Sequence, residues 1–353
     1  MAQDVRLLSQ KDHLHYDQFV AGHPEATVYH TRAWHALLEK SFRYEPCVLV
    51  AWRDGEIAGI LPLALVTTYL GGRRLVSMPF SHHLRPLADG IDSLTALLEE
   101  SKRLCQSERC GFVEIRSGEL PPVSAGWAAA PGYVNTTMPI EKDETAQMSK
   151  LRANTRQQLI QGLRHPDLRI EHREDEPAMH CFASLMAATR RRKGSLTYPA
   201  VFYHELWRGF IVTGAAHLEL AFVADRCIAA FLTFCHGVRA IYGYSASVED
   251  ADALRLRPVN VLMWRGINWA RERGASEFDF GTSLPMQTSL IRFKEGWGGM
   301  TAPLMYYTWR RPGQRGRAVA QDGMAARLAS HVLRRLPQPL FTRLTPYLLR
   351  QLG

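Results

Sequence analysis

The clearest hydrophobic pattern in this chain occurs twice. Residues 49–61 read LVAWRDGEIAGIL and residues 220–232 read LAFVADRCIAAFL, so two apolar runs flank a polar turn in each segment. The first turn contains Asp-Gly, a strong hairpin signal, and the second contains the weaker pair Asp-Arg. Each segment therefore predicts a β-hairpin. The two copies lie 171 positions apart, measured from Asp54 to Asp225.

The segments around the two hairpins also follow one order. A helix-like segment precedes each hairpin, and a third strand, a helix and a further strand follow it. The predicted elements are 31–42, 74–78, 93–107 and 112–116 in the first half, and 200–212, 240–246, 259–272 and 277–281 in the second half. Glu114 and Asp279 occupy equivalent places in the last strands. A polar or helical connection, 141–165, is predicted to join the halves.

Composition is that of an ordinary globular protein. The chain has 353 residues, enough for two domains, with 46% hydrophobic and 22% charged residues. The N-terminus shows no apolar leader pattern, and the longest nearly apolar run, 57–66, is about half of a membrane span. Six cysteines form no CxxC pair and show no zinc spacing. We therefore expect a cytoplasmic protein with reduced thiols and no metal site.

Positive charge is concentrated at the C-terminal end. Of a net charge of +9, residues 310–353 carry +8, with nine arginines against the single acidic residue Asp322. Met324, Leu328, Val332 and Leu336 recur every four residues, which predicts a basic amphipathic helical tail. Such a tail binds an anionic membrane or tRNA, or packs on its own protein. The pattern favours membrane contact at the inner face, with a tail that is dispensable for folding.

One pair of motifs in the second half carries a family resemblance. Residues 278–283 read FDFGTS, and residues 293–299 read FKEGWGG. They indicate a strand that ends in glycine, a connecting turn or helix, and then a lysine between an aromatic residue and a Gly-rich loop. The combination resembles the C-terminal signature of the Fem family, aminoacyl-tRNA-dependent transferases of peptidoglycan synthesis. It is still more similar to the FemAB-like group of exopolysaccharide- and PEP-CTERM-associated type, within the N-acetyltransferase (GNAT) superfamily.

The resemblance implies a fold that agrees with the repeat. It covers roughly residues 29–309 and implies an α/β (α+β) protein with tandem GNAT (acyl-CoA N-acyltransferase-like) domains. Each domain is expected to have a mixed, mostly antiparallel sheet flanked by helices. We expect an N-terminal domain at 1–145 that shapes the acceptor side of a cleft. A C-terminal domain at 146–310 would perform the transfer, and the basic tail would occupy 311–353.

The resemblance also implies which residues carry chemistry. Acyl transfer to an amine needs a deprotonated nitrogen and a group that stabilises the developing oxyanion. By resemblance, Lys294 stabilises the oxyanion and Phe293 stacks on the terminal adenine of tRNA. Asp279 either accepts a proton from the attacking amine or bonds the loop backbone, and the sequence favours the second role. Thr282 stands where relatives often carry arginine, which puts a phosphate contact there in doubt.

In the GNAT fold, the acyl group lies in a gap between the third and fourth strands of the domain. Residues 241–246 would occupy that third strand. Strand alternation predicts Tyr242 and Tyr244 on one face, and Gly243 between them would let another backbone approach. Tyr244 is thus a catalytic candidate and Tyr242 a substrate-binding candidate. The alternative is that both are half-buried residues of the sheet.

Residues 254–260 bear on the acyl donor. They read LRLRPVN, where acetyltransferases carry a Gly-rich loop that binds the pyrophosphate of coenzyme A. This segment has no glycine, and its proline lacks a donor N–H. The departure favours aminoacyl-tRNA as donor, with no cofactor. Arg255, Arg257 and Asn260 remain phosphate-binding candidates, with solvated arginines as the alternative.

Other substrate-binding candidates lie in three segments. A basic run at the end of a helix is expected to bind a polyphosphate or the tRNA acceptor arm, although such residues also favour the helix dipole. The signature motifs add a glycine, a serine and a tryptophan. A Pro-Phe loop of the first half adds two histidines and an arginine as pocket-lining residues, because no carboxylate lies at ligand spacing. These candidates are Arg191, Arg192 and Lys193, then Gly281, Ser283 and Trp297, and then His82, His83 and Arg85.

Three functions are compatible with these observations. The first is aminoacyl or acyl transfer from aminoacyl-tRNA to an amine of a cell-wall or cell-envelope precursor. The second is N-acyl transfer from acyl-CoA or another acyl thioester. The third is a non-catalytic, membrane-associated accessory role in polysaccharide export. The missing pyrophosphate loop favours the first over the second, and the retained Phe-Lys-Glu-Gly-Trp-Gly sequence argues against the third.

Overall fold

The computed structural model describes residues 4–69, 72–118, 120, 126–313 and 324–352; the side chains of 324–328 lie outside the description. The strands of this part are β1 Asp4–Leu7, β2 Glu45–Arg53, β3 Glu56–Thr68, β4 Gly72–Val76, β5 Leu87–Ala88, β6 Phe112–Ser117, β7 Trp127–Pro139, β8 Leu168–His172, β9 Ala216–Val223, β10 Arg226–His236, β11 Arg239–Ser247, β12 Glu277–Ser283 and β13 Met300–Arg310.

The α-helices of the described residues divide between the two halves and the tail. They are α1 His13–Gly22, α2 Arg32–Phe42, α3 Ile91–Ser107, α4 Glu144–Lys150, α5 Ala153–Leu163, α6 Glu176–Lys193, α7 Ala200–Leu206, α8 Ala251–Arg255, α9 Pro258–Glu272, α10 Thr288–Gly296, α11 Met324–Arg335 and α12 Gln338–Leu349. Two short 3-10 turns, Gln10–Asp12 and Val28–His30, and a π turn, Trp207–Ile211, complete the helical elements.

The predicted repeat is confirmed. Antiparallel β2–β3 and β9–β10 form the two hairpins, each closed by a two-residue loop. Asp54 and Gly55 both have positive φ, 53° and 87°, as a tight hairpin turn requires. In the second hairpin, Ala224 takes the left-handed conformation at φ 50° and the loop begins one residue earlier. The repeated sequence therefore forms the same local structure despite its weaker turn pair.

The two halves form one open sheet and exchange strands at its centre. The strand order is β1-β2-β3-β4-β6-β13-β7-β12-β11-β10-β9-β8, with β5 beside β3. The strand β13, from the end of the second half, pairs with β6 of the first half. The strand β7, from the first half, pairs with β12 of the second half. The domain boundary at residues 145 and 146 falls within α4 and stays a prediction.

One core is common to both halves. Along β2, Val48 and Val50 face this shared core, whereas Leu49 and Ala51 face a separate core under α3. In the shared core, Trp34 of α2 makes edge-to-face contacts with Phe210 and Phe234 of the second half, at ring distances of 5.9 and 5.8 Å. The other face of the second half has its own core beneath α9. Burial of aromatic surface thus binds the halves together.

The tail is docked on the protein. Phe341 and Thr345 of α12 are fully buried, and Leu349 joins the shared core. Polar contacts hold the same helix: Thr197 N donates to Thr345 Oγ1 at 3.1 Å, and Tyr44 Oη donates to Arg350 O at 2.9 Å. The expectation of a tail dispensable for folding is therefore wrong, because deletion would open the core at these positions.

The helix predicted for the first part of the tail is present as α11, although Val332 of its predicted apolar stripe is not on the side that packs on the protein. Val332 is 52% exposed, whereas its neighbour Leu333 is buried. The reason is that α11 approaches α6 along the side of Ser330, where a Cβ at Gly194 would lie 2.1 Å from Ser330 Oγ. The side chains of Met324 and Leu328 lie outside the described residues. None of the described helices has the length and apolar character of a membrane span.

Candidate active site

A gap opens in the sheet between β11 and β12. These parallel strands pair from Arg239 opposite Glu277 to Ile241 opposite Asp279. Beyond that point β11 follows β10 while β12 follows β7, so the two strands separate. The end of a parallel pair leaves backbone groups and side chains accessible to a ligand. The gap predicted from the resemblance is therefore present, and Asp279 lies at its closed end.

A bulge in β12 orients the polar groups of this gap. Asp279 pairs with Thr137 and Thr282 pairs with Asn135, so β12 has one extra residue between them. Gly281 takes φ 72° within the bulge, and its N–H donates to Asp279 Oδ1 at 2.7 Å. Phe278 and Phe280 on either side of Asp279 pack in the core beneath α9. Asp279 consequently points to the opposite face, towards the first half.

Asp279 is held by residues from both halves. His83 Nε2 donates to Asp279 Oδ2 at 3.0 Å, and Asn135 Nδ2 donates to Oδ1 at 3.0 Å. The carboxylate is 5% exposed. Burial by itself would raise its pKa, but the hydrogen bond and charge of His83, the charge of His82 and the Gly281 N–H outweigh burial and lower the pKa to about 2. Asp279 is thus an ionised group with its lone pairs engaged.

Lys294 lies beside the same bulge. Its Nζ donates to Gly281 O at 2.5 Å and to Thr282 O at 3.1 Å, and the residue is 5% exposed. Burial lowers its pKa to about 8, although nearby Asp279 acts in the opposite direction. Lys294 belongs to the last turn of α10, between Phe293 and the Gly-rich segment that follows, and it is buried, so it is not the surface lysine that the sequence left as the alternative.

The aromatic residues of the FKEGWGG motif face the core. Phe293 is half-buried against the core beneath α9, and Trp297 is fully buried there. Trp297 Nε1 has no hydrogen-bond partner among the described residues. This placement leaves part of Phe293 at the surface and makes Trp297 a support for α10. A contact of either residue with substrate stays a prediction.

Three buried polar atoms near Asp279 have no hydrogen-bond partner in the described structure: His82 Nδ1, Asn135 Oδ1 and Ser283 Oγ. Such atoms are rare in folded proteins unless a ligand or water satisfies them. His82 packs on Gly281, where a Cβ would lie 2.3 Å from its ring. Burial lowers the pKa of His82 to about 4, so it is neutral near pH 7. The site therefore has unused donors and acceptors around one carboxylate.

The prediction that Tyr242 and Tyr244 share a face is wrong. The pairing of β10 with β11 passes from Leu232 opposite Tyr244 to Thr233 opposite Tyr242, which leaves Gly243 as the extra residue of a bulge. Tyr242 packs on Phe231 in the core beneath α9, at 4.7 Å between ring centroids. Tyr244 packs instead in the shared core. A Cβ at Gly243 would lie 2.7 Å from Phe234, so the bulge requires glycine.

The basic residues at the end of α6 make different contacts with the protein. Arg191 Nη1 donates to Leu336 O of the tail at 2.9 Å, and Arg192 Nη1 donates to Ser247 O at 3.1 Å. Lys193 is exposed. The guanidinium carbon of Arg190, in the same basic run, lies 4.4 Å from the Tyr198 ring centroid. Tyr198 in turn contacts Tyr244 at 5.6 Å between ring centroids, so Arg190 lies at the edge of the shared core.

The start of α9 offers few backbone donors. Pro258 is its first residue, and the N–H groups of Asn260 and Val261 both bond to Arg257 O, at 3.1 and 3.3 Å. Arg255 forms an exposed ion pair with Asp252 at 3.0 Å. Asn260 is buried, and its Nδ2 has no partner among the described residues. Arg257 Nε donates to Gln161 Oε1 at 3.4 Å, and Asn260 is the member of this group with a buried polar atom that lacks a described partner.

The three candidates that follow Pro79-Phe80 in the first half do not all lie at the site. His82 and His83 reach the bulge of β12, as described above. Arg85 points elsewhere: it pairs with Glu25, and its carbonyl bonds His30 Nε2 at 3.0 Å.

Asn135 was missed because β7 was not recognised as a strand of the site. A polar residue inside an otherwise strand-like segment was the available signal. Within the described residues, no group of three or more His, Cys, Asp or Glu could hold a metal ion.

Comparison with known proteins agrees with this geometry. Residues 149–294 match the family model described as the acetyltransferase (GNAT) domain, and that segment contains both Asp279 and Lys294. The fold and the matched domain define an acyltransferase of the GNAT class. This match covers less than half of the chain, and within it the second half is similar to the acetyltransferase (GNAT) domain. No curated protein sequence gives a significant match.

Solved structures with the same fold extend over both halves. FemX superposes with a TM-score of 0.66 at 16% identity, over 86% of this chain and 96% of FemX. The C-terminal domain of a putative lysylphosphatidylglycerol synthetase from Agrobacterium fabrum gives 0.55 at 13% identity, over 87% and 99%. A tandem GNAT protein of the clavulanic acid biosynthesis pathway gives 0.53 at 11% identity, over 89% and 100%. These likenesses show a tandem GNAT fold with a Fem-like architecture; the association with exopolysaccharide stays a prediction.

Proposed function

We propose that this acyltransferase moves an aminoacyl group from aminoacyl-tRNA to an amine of a cell-wall or cell-envelope precursor. The observation that carries the proposal is the His83–Asp279 pair beside Lys294, at the closed end of the gap between β11 and β12. The arrangement combines a base, a carboxylate that orients it and a cation within one small site. These are the groups that acyl transfer to an amine requires.

His83 is the proposed base. Its Nε2 faces Asp279, so Nδ1 is the ring nitrogen available to the attacking amine, and Nδ1 has no hydrogen bond to a described residue. Asp279 remains ionised because its pKa is about 2, and it therefore orients His83 and stabilises the imidazolium. This favours an orienting role for Asp279 over direct proton abstraction. His83, which the sequence placed as pocket lining, takes the proton instead.

Lys294 is the proposed oxyanion stabiliser. An ammonium group has three donors, and two of those of Lys294 bond the carbonyls of Gly281 and Thr282. The third remains for the substrate. As the amine attacks the ester carbonyl, the C–N bond forms and His83 accepts the amine proton. The C–O bond to the tRNA ribose then breaks, and His83 returns that proton to the departing hydroxyl.

The start of α9 supports an RNA ester over coenzyme A. A pyrophosphate at a helix start is bound by unpaired backbone N–H groups. Here Pro258 lacks one, and two more are bonded to Arg257 O. The guanidinium groups of Arg191 and Arg192 each have further donors for phosphates of the acceptor arm. An acyl-CoA donor remains the second candidate, because the family model is described as an acetyltransferase. Use of charged tRNA would place the reaction in the cytoplasm.

The test compares donors directly. Purified full-length protein is incubated with envelope-precursor amines and with either mixed aminoacyl-tRNAs or acyl-CoA esters. Deacylation of tRNA, release of free coenzyme A and formation of the amide are measured by mass spectrometry. His83→Asn and Lys294→Met variants serve as matched controls for background hydrolysis. Amide formation from tRNA by the wild type alone supports the proposal. Transfer from coenzyme A alone, or equal turnover by all three proteins, overturns it.

A further inference from the structure

Helix α12 has two apolar faces, and only one of them is used by the protein. Phe341, Thr345 and Leu349 form the buried face. The other face carries large side chains that remain open to solvent. Their exposed fractions are 48% for Leu340, 49% for Leu344, 73% for Tyr347 and 54% for Leu348, and Leu352, just past the C-terminal end of α12, is 55% exposed. An exposed apolar face of this kind on a docked helix is typical of an interaction site.

A distant segment extends this outward face. Tyr69 stands at the end of β3 and is 91% exposed. Its backbone N–H donates to Gln351 Oε1 at 2.9 Å, which places it beside the C-terminal end of α12. Arg74 Nη2 also donates to Gln351 O at 3.4 Å. We define the α12 surface as Leu340, Leu344, Tyr347, Leu348, Leu352 and Tyr69.

The rim of the α12 surface is positively charged. On a helix, Arg343 and Arg350 project from one side of the row formed by Leu340, Leu344 and Tyr347. Neither arginine side chain makes an ion pair within the part of the chain that the structure describes. Residues 324–353 contain five arginines and no Asp or Glu. The surface thus combines apolar and aromatic side chains with unneutralised cations.

We propose that the α12 surface lies on an anionic lipid bilayer. Leucines enter the boundary between headgroups and acyl chains, tyrosines are suited to the same depth, and flanking arginines reach lipid phosphates. A second copy of the chain fits less well. A symmetric pair of α12 helices would bring Arg343 and Arg350 of both copies close together, with no acidic residue on either helix to neutralise them. The inference does not depend on the proposed donor.

Vesicle sedimentation tests the proposal with the full chain. The protein is mixed with vesicles of phosphatidylcholine and phosphatidylglycerol, or of phosphatidylcholine alone, at several salt concentrations. The first variant, Leu344→Gln/Leu348→Gln, removes apolar contact without changing charge. Its matched control is Leu14→Gln/Leu163→Gln, two leucines that are 66% and 47% exposed on other helices. A third variant, Arg343→Gln/Arg350→Gln, removes the charged rim. Thermal unfolding of each protein confirms that it is folded.

The expected outcomes separate the two kinds of contact. Wild type and the Leu14/Leu163 control bind anionic vesicles, more weakly as salt rises. The Leu344/Leu348 variant loses at least about tenfold in partition coefficient, and the arginine variant loses binding together with its salt dependence. Absence of wild-type binding to anionic vesicles overturns the proposal. So does a wild-type dimer in sedimentation velocity that the Leu344/Leu348 variant dissolves, since α12 would then be a contact between copies.

Discussion

His83 Nε2 lies 3.0 Å from Asp279 Oδ2, although the two residues are 196 positions apart in the chain. One belongs to a loop of the first half and the other to a strand of the second half. Neither half therefore contains the complete polar site. The close contact requires that the two halves be packed together before the base can be oriented.

Replacement of His83 tests its role as base. His83→Asn should lower kcat by about 10²- to 10⁴-fold, because the proton of the amine is no longer accepted in the transition state. Asp279→Asn should lower kcat as well, and the double variant should be no worse than His83→Asn alone, since both act through one ring. Steady-state kinetics with the donor that the comparison of aminoacyl-tRNA and acyl-CoA selects measure these effects. Additive losses in the double variant would show that the two residues act independently.

Replacement of Lys294 tests the oxyanion role. Lys294→Met retains the length of the side chain but removes its charge, and it should lower kcat by about 10²- to 10³-fold. Because burial lowers the pKa of Lys294 to about 8, wild-type activity should fall above that pH as the ammonium loses its proton. The residual activity of Lys294→Met should show no such fall. An unchanged alkaline limb in the variant would remove Lys294 from the mechanism.

The alkaline loss of activity should not be a loss of fold. The folded-state pKa of Lys294, about 8, lies below the ordinary lysine value of 10.5, so the unfolded chain binds more protons between these values. Stability from this group therefore increases as pH rises from about 8 towards 10.5. Thermal unfolding should therefore show that the stability of wild type, relative to Lys294→Met, increases over this pH interval. A relative decrease over the same interval would contradict the burial of the ammonium.

Asp279 should stabilise the fold near neutral pH and lose this effect in acid. Its folded-state pKa of about 2 is below the ordinary aspartate value of 3.8, so its contribution is present above pH 3.8 and is lost as pH falls through about 2. The shift corresponds to about 2 kcal/mol. Urea unfolding of wild type and Asp279→Asn should therefore show a difference that shrinks on acidification. A difference independent of pH would mean that His83 does not stabilise the carboxylate.

Gly281 should be intolerant of a side chain for two reasons. A Cβ would lie 2.3 Å from the His82 ring, and φ at this position is 72°. Gly281→Ala should destabilise the protein by about 1–3 kcal/mol. Gly237→Ala is the matched control, because Gly237 has φ 54° but nothing within 4 Å of its Cβ position. A double-mutant cycle with His82→Ala measures the steric contribution. Equal losses at Gly281 and Gly237 would exclude the contact with His82.

The two faces of α12 should respond differently to alanine. Phe341→Ala should lower stability by about 3–5 kcal/mol, because its side chain is fully buried. Leu348→Ala on the outward face should change stability by less than about 0.5 kcal/mol. Chemical unfolding of both variants provides the comparison. Similar small effects would show that α12 is loosely attached, in agreement with the tail expected from the sequence.

Much of the fold could be predicted from local patterns. The two hairpins, the helices that flank them and the strands at 112–116 and 277–281 follow from apolar periodicity and turn residues, which act over a few positions. The exchange of β7 and β13 could not be predicted in this way. Strand partners are chosen by packing across the whole sheet, and any neighbour with a matching face satisfies the local pattern.

The candidate site could likewise be predicted only in part. The signature motifs identified Asp279 and Lys294, and the Pro-Phe loop identified His83, but no spacing in sequence links His83 with a carboxylate. The bulge at Gly243 inverted the expected face of one tyrosine, because one extra residue shifts strand alternation by one position. Buried atoms without partners, such as Ser283 Oγ, are visible only in three dimensions.

The strand exchange at the centre of the sheet constrains how substrates reach the gap. Rotation of one half away from the other would break the ladder between β7 and β12, the ladder between β13 and β6, or both. Such breakage exposes many backbone hydrogen-bonding groups at once. Within the described residues, the exchanged strands thus oppose a hinge motion between the halves and hold the sides of the gap together. A crystal grown without substrate should therefore present His83, Asp279 and Lys294 already in place.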